Sequence, residues 1–202
     1  MNADFSINGR TIETDRLLLR PFEEKDLEDF FEYASVEGVG EMAGWHHHEN
    51  REESAEILKM FMNDDKVFAL CLKENGKVIG SIGVEKYGME ENLTEFDGMK
   101  GREIGYVLSK AYWGRGLMPE AACAVIKFLF TEENLDFITC GYYDFNTQSK
   151  RVQEKCGFRP YRKINFETRL GTTEPGVLNL LLNPAKNLHP VFSHPETLIY
   201  NE

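Results

Sequence analysis

Apolar residues along this chain recur with two different periods, and the points where the period changes divide it into elements. "RLLLRPF", from Arg16 to Phe22, is a short apolar run of the kind that makes a strand. Leu27, Phe30, Phe31 and Ala34 then recur at helical spacing and give one apolar face. Asn50 with Glu53 spells a capping box, and Ile57, Leu58, Phe61 and Met62 supply the stripe of a second helix. Between the two helices lies "GEMAGWHHHEN", an irregular loop. From Val67 the pattern becomes β-rich: "VFALCLKENGKVIGSIGVEKY" is two runs joined through Asn75-Gly76, whose tolerance of positive φ suits a tight hairpin turn. A polar stretch, "GMEENLTEFDGMKG", separates this pair from "REIGYVLS", a strand that runs directly into a segment with two glycines.

The helix after that segment has Pro119 near its first turn, where a missing N–H costs nothing, and Ala122, Val125, Ile126, Leu129 and Phe130 on one face. "DFITCGYYD" is a further strand. Asn146 is positioned to cap "TQSKRVQEKCGF", a helix that Gly157 stops. "YRKINFETRL" and "VLNLLL" flank "GTTEPG" as a closing hairpin. The order βααβββαβαββ predicts a mixed α/β (α+β) domain over residues 1–183, with a mostly antiparallel sheet of about seven strands flanked by helices. Residues 184–202 read as a C-terminal tail.

The glycine segment, "AYWGRGLMPEAA", carries the first chemical signal. Gly114 and Gly116 permit backbone conformations and close approach that a Cβ forbids, and the helix starting near Met118 presents unpaired N–H groups with a partial positive charge. Together they make an anion cradle that suits a pyrophosphate, to which Arg115 adds charge. The plain alternative is a strand-to-helix turn in which glycine only allows the bend. Two nucleotide-binding spellings fail: no Lys-Ser or Lys-Thr follows Gly116 as a Walker loop needs, and Pro119 stands where GxGxxG needs its third glycine.

Composition narrows the partners. The formal net charge of −11 argues against nucleic acid, since phosphate binding draws on clustered Lys and Arg, and it mildly favours a cationic substrate such as an amine. The chain has no apolar run long enough for a membrane span and no signal-peptide pattern at its start, so a cytoplasmic setting is expected. Cys71, Cys123, Cys140 and Cys156 form no CxxC pair and are expected to be reduced, buried thiols. His46, His47 and His48 are adjacent and cannot all point one way, so no metal site is expected.

"IGYVLSKAYWGRGLMPEAA" followed by "NTQSKRVQEKCGF" resembles the GNAT superfamily of acyl-CoA-dependent N-acyltransferases. The opening "TIETDRLLLRPFEEKDLEDFF" and "GWHHHENREESAEIL" are similar to its Rim-type branch, which includes ribosomal-protein N-terminal acetyltransferases. The resemblance spans roughly Thr11 to Leu182. It implies that acetyl-CoA is the cosubstrate, with no metal. The loop from Gly114 through Arg115, Gly116 and Leu117 to Met118 would bind the CoA pyrophosphate. Val107 and Leu108 would pair with the pantetheine through the main chain. The family's Q/R-x-x-G-x-G/A pattern falls on Trp113, Gly116 and Met118, departing at its first and last positions. Lys150, Arg151 and Lys155 either face the nucleotide phosphates or form a solvated basic face.

By the same resemblance, Glu103 is the carboxylate that serves as base, with a structural ion-pair or solvent-facing role as its plain alternative. Asn146 meets the pantetheine, and Ser149 acts at the CoA sulfur. In other branches a tyrosine serves as acid four residues before the Gly-Phe pair; here that position is Gln153. Trp45, His48 and Tyr142 are the expected acceptor-side contacts, although ordinary core packing is the slightly favoured reading of Trp45. The expected partner is an amine-bearing substrate: a protein N-terminus, an amino acid, a polyamine or an antibiotic. A homodimer is the assembly to test. The rival function is a CoA-binding sensor with the same fold and no turnover.

Overall fold

The protein was analysed as a computed structural model, which describes residues 1–88, 93, 96–186 and 188. Most of the expected tail, and part of the polar stretch before "REIGYVLS", lie outside the described residues. The elements are β1 (Ile12–Glu13), β2 (Leu17–Pro21), α1 (Leu27–Ala34), α2 (Arg51–Asp64), β3 (Val67–Leu72), β4 (Val78–Glu85), β5 (Gly101–Leu108), α3 (Leu117–Thr131), β6 (Phe137–Tyr143), α4 (Thr147–Lys155), β7 (Arg159–Glu167) and β8 (Thr173–Leu182). Among the described residues eight strands form one sheet in the order β1-β2-β3-β4-β5-β6-β8-β7. The pairs around β2, β3 and β8 are antiparallel, whereas β5 and β6 run parallel. The mixed, mostly antiparallel α/β architecture expected from the pattern is therefore present, with one strand more than counted. That strand, β1, is only two residues long, too short to show a period.

The chain forms two compact units, one from Phe5–Val84 and Gly105–Val125, the other from the described residues of Met1–Asp4, Glu85–Ile104 and Ile126–Glu202. In the first, α1 and α2 bury Phe22, Phe30, Tyr33, Ala34 and Leu58 against Val67, Ala69, Cys71 and Val78 of the strands. The Phe22, Phe30 and Phe61 rings meet at centroid distances of 5.5–5.7 Å. Burying each such ring is worth about 1.5–3 kcal/mol, far more than the helix propensity of these short segments. In the second unit Phe96 stacks on Phe137 at 4.2 Å, and both pack with Tyr87, Phe166, Leu178 and Leu180.

Local signals formed largely as spelled. Asn50 Oδ1 accepts from Glu53 N at 2.9 Å, but the Glu53 carboxylate turns back to Glu49 N, at 2.9 Å, rather than to Asn50. Helix α4 ends in a Schellman motif: Gly157 has φ +88°, its N–H donates to Glu154 O, and Phe158 N donates to Gln153 O, both at 3.1 Å. Other expectations are corrected. Met62 is exposed, because the buried line of α2 runs through Ser54 and Leu58 with Phe61 beside it, and Met62 lies past that line in the last turn. Cys123 is exposed on α3 and Cys156 only half-buried, so burial holds for Cys71 and Cys140 alone. The last hairpin turns over Thr168–Thr172, and "TEPG" belongs to β8 rather than to the turn. A bulge at Pro160/Arg162 absorbs the extra residue.

One close approach fixes the spacing beside β5. A Cβ on Gly80 would lie 2.3 Å from the Val107 carbonyl oxygen, a contact with backbone that no rotamer relieves. Gly80→Ala is expected to destabilise by about 1–3 kcal/mol, read as a lower midpoint in urea unfolding. An unchanged midpoint would show that β5 gives way freely.

Candidate functional site

In the unit that contains the start of α3, strand β5 ends at Leu108 and the chain turns sharply. Ser109 N donates to Ile79 O at 2.7 Å, and the Trp113 indole N–H donates to Leu108 O at 2.8 Å. The Leu108 carbonyl, expected to pair with a ligand, thus already holds an indole on one lone pair. Val107 is half-buried and packs on the core that α1 and α2 share. Gly114 and Gly116 follow with φ of +76° and +74°, left-handed conformations that side-chain-bearing residues rarely adopt.

The consequence lies in the main chain. Among the described residues, none of the N–H groups from Gly114 to Met118 donates to a protein acceptor. The Leu117 and Met118 side chains are buried under the helix while Gly114 and Arg115 are exposed. The amides therefore gather at the mouth of α3, where the helix dipole adds partial positive charge. The Arg115 guanidinium stacks on Tyr112 at 4.9 Å, and the Lys110 ammonium lies 5.9 Å from the Trp113 ring.

Sequence reading missed what holds this loop. The Glu120 carboxylate, in the first turn of α3, accepts from Thr14 Oγ1 at 2.6 Å, from Arg16 N at 2.9 Å and from Arg16 Nε at 2.7 Å. Arg16 Nη1 also donates to the Arg115 carbonyl at 2.9 Å. One guanidinium thereby fastens both the helix and the loop to the chain before β2. No local signal could have revealed this, because the partners are 104 residues apart.

In the same unit, the loop between α1 and α2 separates the three histidines. His46 is exposed. His47 Nδ1 lies 2.9 Å from Glu41, which also accepts from the N–H groups of Gly38 and His47. Burial would raise the Glu41 carboxyl, but these bonds, led by His47, hold it down to about 2. His48 is buried, bonded to Ser54 Oγ at 2.7 Å and packed edge-on against Phe30. Burial, the largest influence, pushes its imidazole below the ordinary value. Trp45 packs on His48 at 5.1 Å and covers Gly40, where a Cβ would meet its ring at 2.4 Å. Trp45 and His48, two of the three expected acceptor-side residues, thus contribute to packing here. No cluster of three or more potential metal ligands occurs among the described residues. Burial also pushes the Cys71 thiol up to about 11, leaving it a poor nucleophile.

The other unit brings together a second group. The β5–β6 ladder runs from Gly101/Phe137 to Glu103/Thr139, and across its last pair Thr139 Oγ1 donates to Glu103 Oε2 at 2.9 Å. Asn146 Oδ1 caps α4 by accepting from Ser149 N at 3.0 Å. Ser149 Oγ in turn accepts from Gln153 Nε2 at 3.2 Å. Tyr142 is buried on β6, while Tyr143 stacks on the exposed Phe145 at 5.3 Å. Lys150, Arg151 and Lys155 are exposed on α4.

The family profile for the acetyltransferase (GNAT) domain matches residues 16–159. The uncharacterized N-acetyltransferase YnaD of Bacillus subtilis is 31% identical over 148 residues, which cover 73% of this chain and 82% of YnaD. A GNAT-family acetyltransferase of known structure from Bacillus anthracis has a TM-score of 0.74 at 28% identity, covering 86% of this chain and 98% of that one. Two more distant structures share the fold. Ribosomal-protein-S5-alanine acetyltransferase from Vibrio fischeri has a TM-score of 0.63 at 20% identity, covering 86% of this chain and 97% of its own. The microcin C7 self-immunity acetyltransferase MccE, solved with acetyl-CoA and AMP, has 0.66 at 16%, covering 84% and 93%. The chain belongs to the GNAT acetyltransferase family, and its fold is shared with ribosomal-protein acetyltransferases.

The clamp predicts a pH dependence. Burial would raise the Glu120 carboxyl, but hydrogen bonds from Thr14 and Arg16 more than offset it and hold the group below its ordinary 4.5. A carboxylate lowered in the folded state adds stability that is complete above 4.5 and is lost as pH falls through the folded value. The melting temperature of the native chain should therefore exceed that of Glu120→Gln near neutral pH, with the gap closing on acidification below 4.5. A gap independent of pH would refute the charge-based clamp.

Proposed function

We propose that this acetyltransferase moves an acetyl group from acetyl-CoA to a primary amine, by direct attack of the amine and without a covalent enzyme intermediate. The acceptor is a protein N-terminus or a small amine such as an amino acid, a polyamine or an antibiotic. The observation that carries the reading is the row of N–H groups without protein acceptors from Gly114 to Met118 at the positive end of α3. Five main-chain donors on a left-handed turn suit a diphosphate, whose oxygens need several donors from one side. MccE, with the same fold, binds acetyl-CoA, which supports CoA as the ligand here. A cytoplasmic setting is part of the same reading.

Acetyl-CoA would supply an acyl group activated as a thioester. In this reading the α3 amides hold its diphosphate, and Val107 and Leu108 offer main-chain groups to the pantetheine. An N–H near Val107 stabilises negative charge on the acyl oxygen. Glu103, with one oxygen held by Thr139, takes the proton that the amine must lose, directly or through water. Ser149 acts at the sulfur. The net negative charge of the chain draws cationic acceptors toward it.

Two experiments test the reading. Gly116→Val should weaken CoA binding, measured by calorimetry, by about 100-fold or more while the circular dichroism spectrum stays native. Unchanged affinity would remove the loop assignment. Glu103→Gln should lower turnover by about 10²–10⁴-fold with CoA affinity intact, followed by thiol release over a panel of amines. CoA binding without release from the native chain on every amine would favour the sensor.

A further inference from the structure

Gln153 stands where other branches of the family carry a tyrosine acid, and its surroundings show a different device. The side chain is fully buried between α4 and the strands β6 and β8. Its Nε2 donates to the Gly141 carbonyl at 2.9 Å and to Ser149 Oγ at 3.2 Å, and its Oε1 accepts from Asn179 Nδ2 at 2.8 Å.

The sense of this chain of bonds is fixed by chemistry. A backbone carbonyl can only accept, so the amide nitrogen of Gln153 must face Gly141. Its oxygen then faces Asn179, which must present N–H in return. The remaining Gln153 hydrogen goes to Ser149, whose Oγ is thereby an acceptor on that side and must spend its own hydrogen elsewhere. Each donated bond polarises the next, which strengthens the serine hydroxyl as a donor.

Stability alone does not explain the arrangement. Asn179 is 2% exposed, and its Oδ1 has no hydrogen-bond partner among the described residues. A buried acceptor without a partner is costly, whereas apolar side chains of the same volume would fill the space without that cost.

We propose that Gln153 is a positioning residue for acyl transfer: with Asn179 behind it, it turns the Ser149 hydroxyl into a hydrogen-bond donor for the thiol sulfur of bound CoA. This rests on the CoA reading above. No proton is transferred in the contact. Ser149 keeps its hydrogen and shares it with the sulfur, so the electron pair left by C–S cleavage is stabilised in place, and water later protonates the thiolate. An amide has no titratable proton, so this site works by lowering the thiol's pKa rather than by supplying an acid.

The test needs no acceptor. CoA is bound to the full-length chain, and the pKa of its thiol is read from the ultraviolet absorbance of the thiolate, alongside the dissociation constant. The bound thiol of the native protein should titrate about one unit or more below that of free CoA. Ser149→Ala and Gln153→Met should each return it toward the free value, with CoA affinity falling mainly at pH values where the bound thiol is ionised. Adding Gln153→Met to Ser149→Ala should move it no further. Asn179→Leu, which removes only the outer donor, should give a smaller shift in the same direction. A native bound thiol that titrates like free CoA overturns the proposal, whatever the stability of the variants. So does a Gln153→Met effect that persists without Ser149. Failure of the native chain to bind CoA at all would instead overturn the functional reading beneath it.

Discussion

The entry to α3 imposes the constraint on which the candidate site depends. A helix that begins at Leu117 leaves its first N–H groups without intrahelical partners, and a protein ordinarily satisfies them with a capping side chain. Here Gly114 and Gly116 carry the backbone through left-handed conformations, and Glu120 is occupied by Thr14 and Arg16 instead of the amides. The carboxylate that an N-terminal first turn favours is thus used to anchor the loop from outside. The amides remain available to a ligand, and Arg16 keeps the loop in shape by also holding the Arg115 carbonyl.

At the entry to α3 the donors without protein acceptors are main-chain nitrogens, which a change of side chain leaves in place. Trp113 and Met118, at the ends of the family's loop pattern, are both engaged with the protein itself. Met118 is buried beneath the helix, and Trp113 braces the end of β5 through Leu108. In the other unit the ordering contacts run through side chains instead. Asn146 caps α4 by accepting from Ser149 N, so that one short segment both starts the helix and carries the Ser149 hydroxyl. Gln153 extends the same logic inward, from a strand carbonyl to the serine one turn earlier.

How much was legible follows the range of the forces involved. Helix starts and stops were readable because caps and glycine conformations act within a turn of chain: Asn50, Asn146 and Gly157 perform the roles that their positions announce. Strands long enough to show a pattern were readable for the same reason. Met62 and Cys123 were misplaced, since apolar identity alone does not say how far a helix's buried face extends. The three histidines were foreseen to diverge, but not that Glu41 would order the loop around His47 or that Ser54 would engage His48.

The sequence by itself determined the element order, the glycine turn before α3, the capped start of α4 and membership in the GNAT acetyltransferase family. All of these are written in residues that are neighbours along the chain, where sterics and local hydrogen bonds decide the outcome. Only the tertiary structure decided that Arg16 guards the loop, that Thr139 holds Glu103, and that Gln153 links Asn179 to Ser149. Those pairings join residues from 4 to 104 positions apart, with Asn179 and Gln153 separated by 26. Their formation depends on which faces the sheet brings together, and hydrogen bonds of 2.7–3.2 Å exist only once that packing has fixed the atoms.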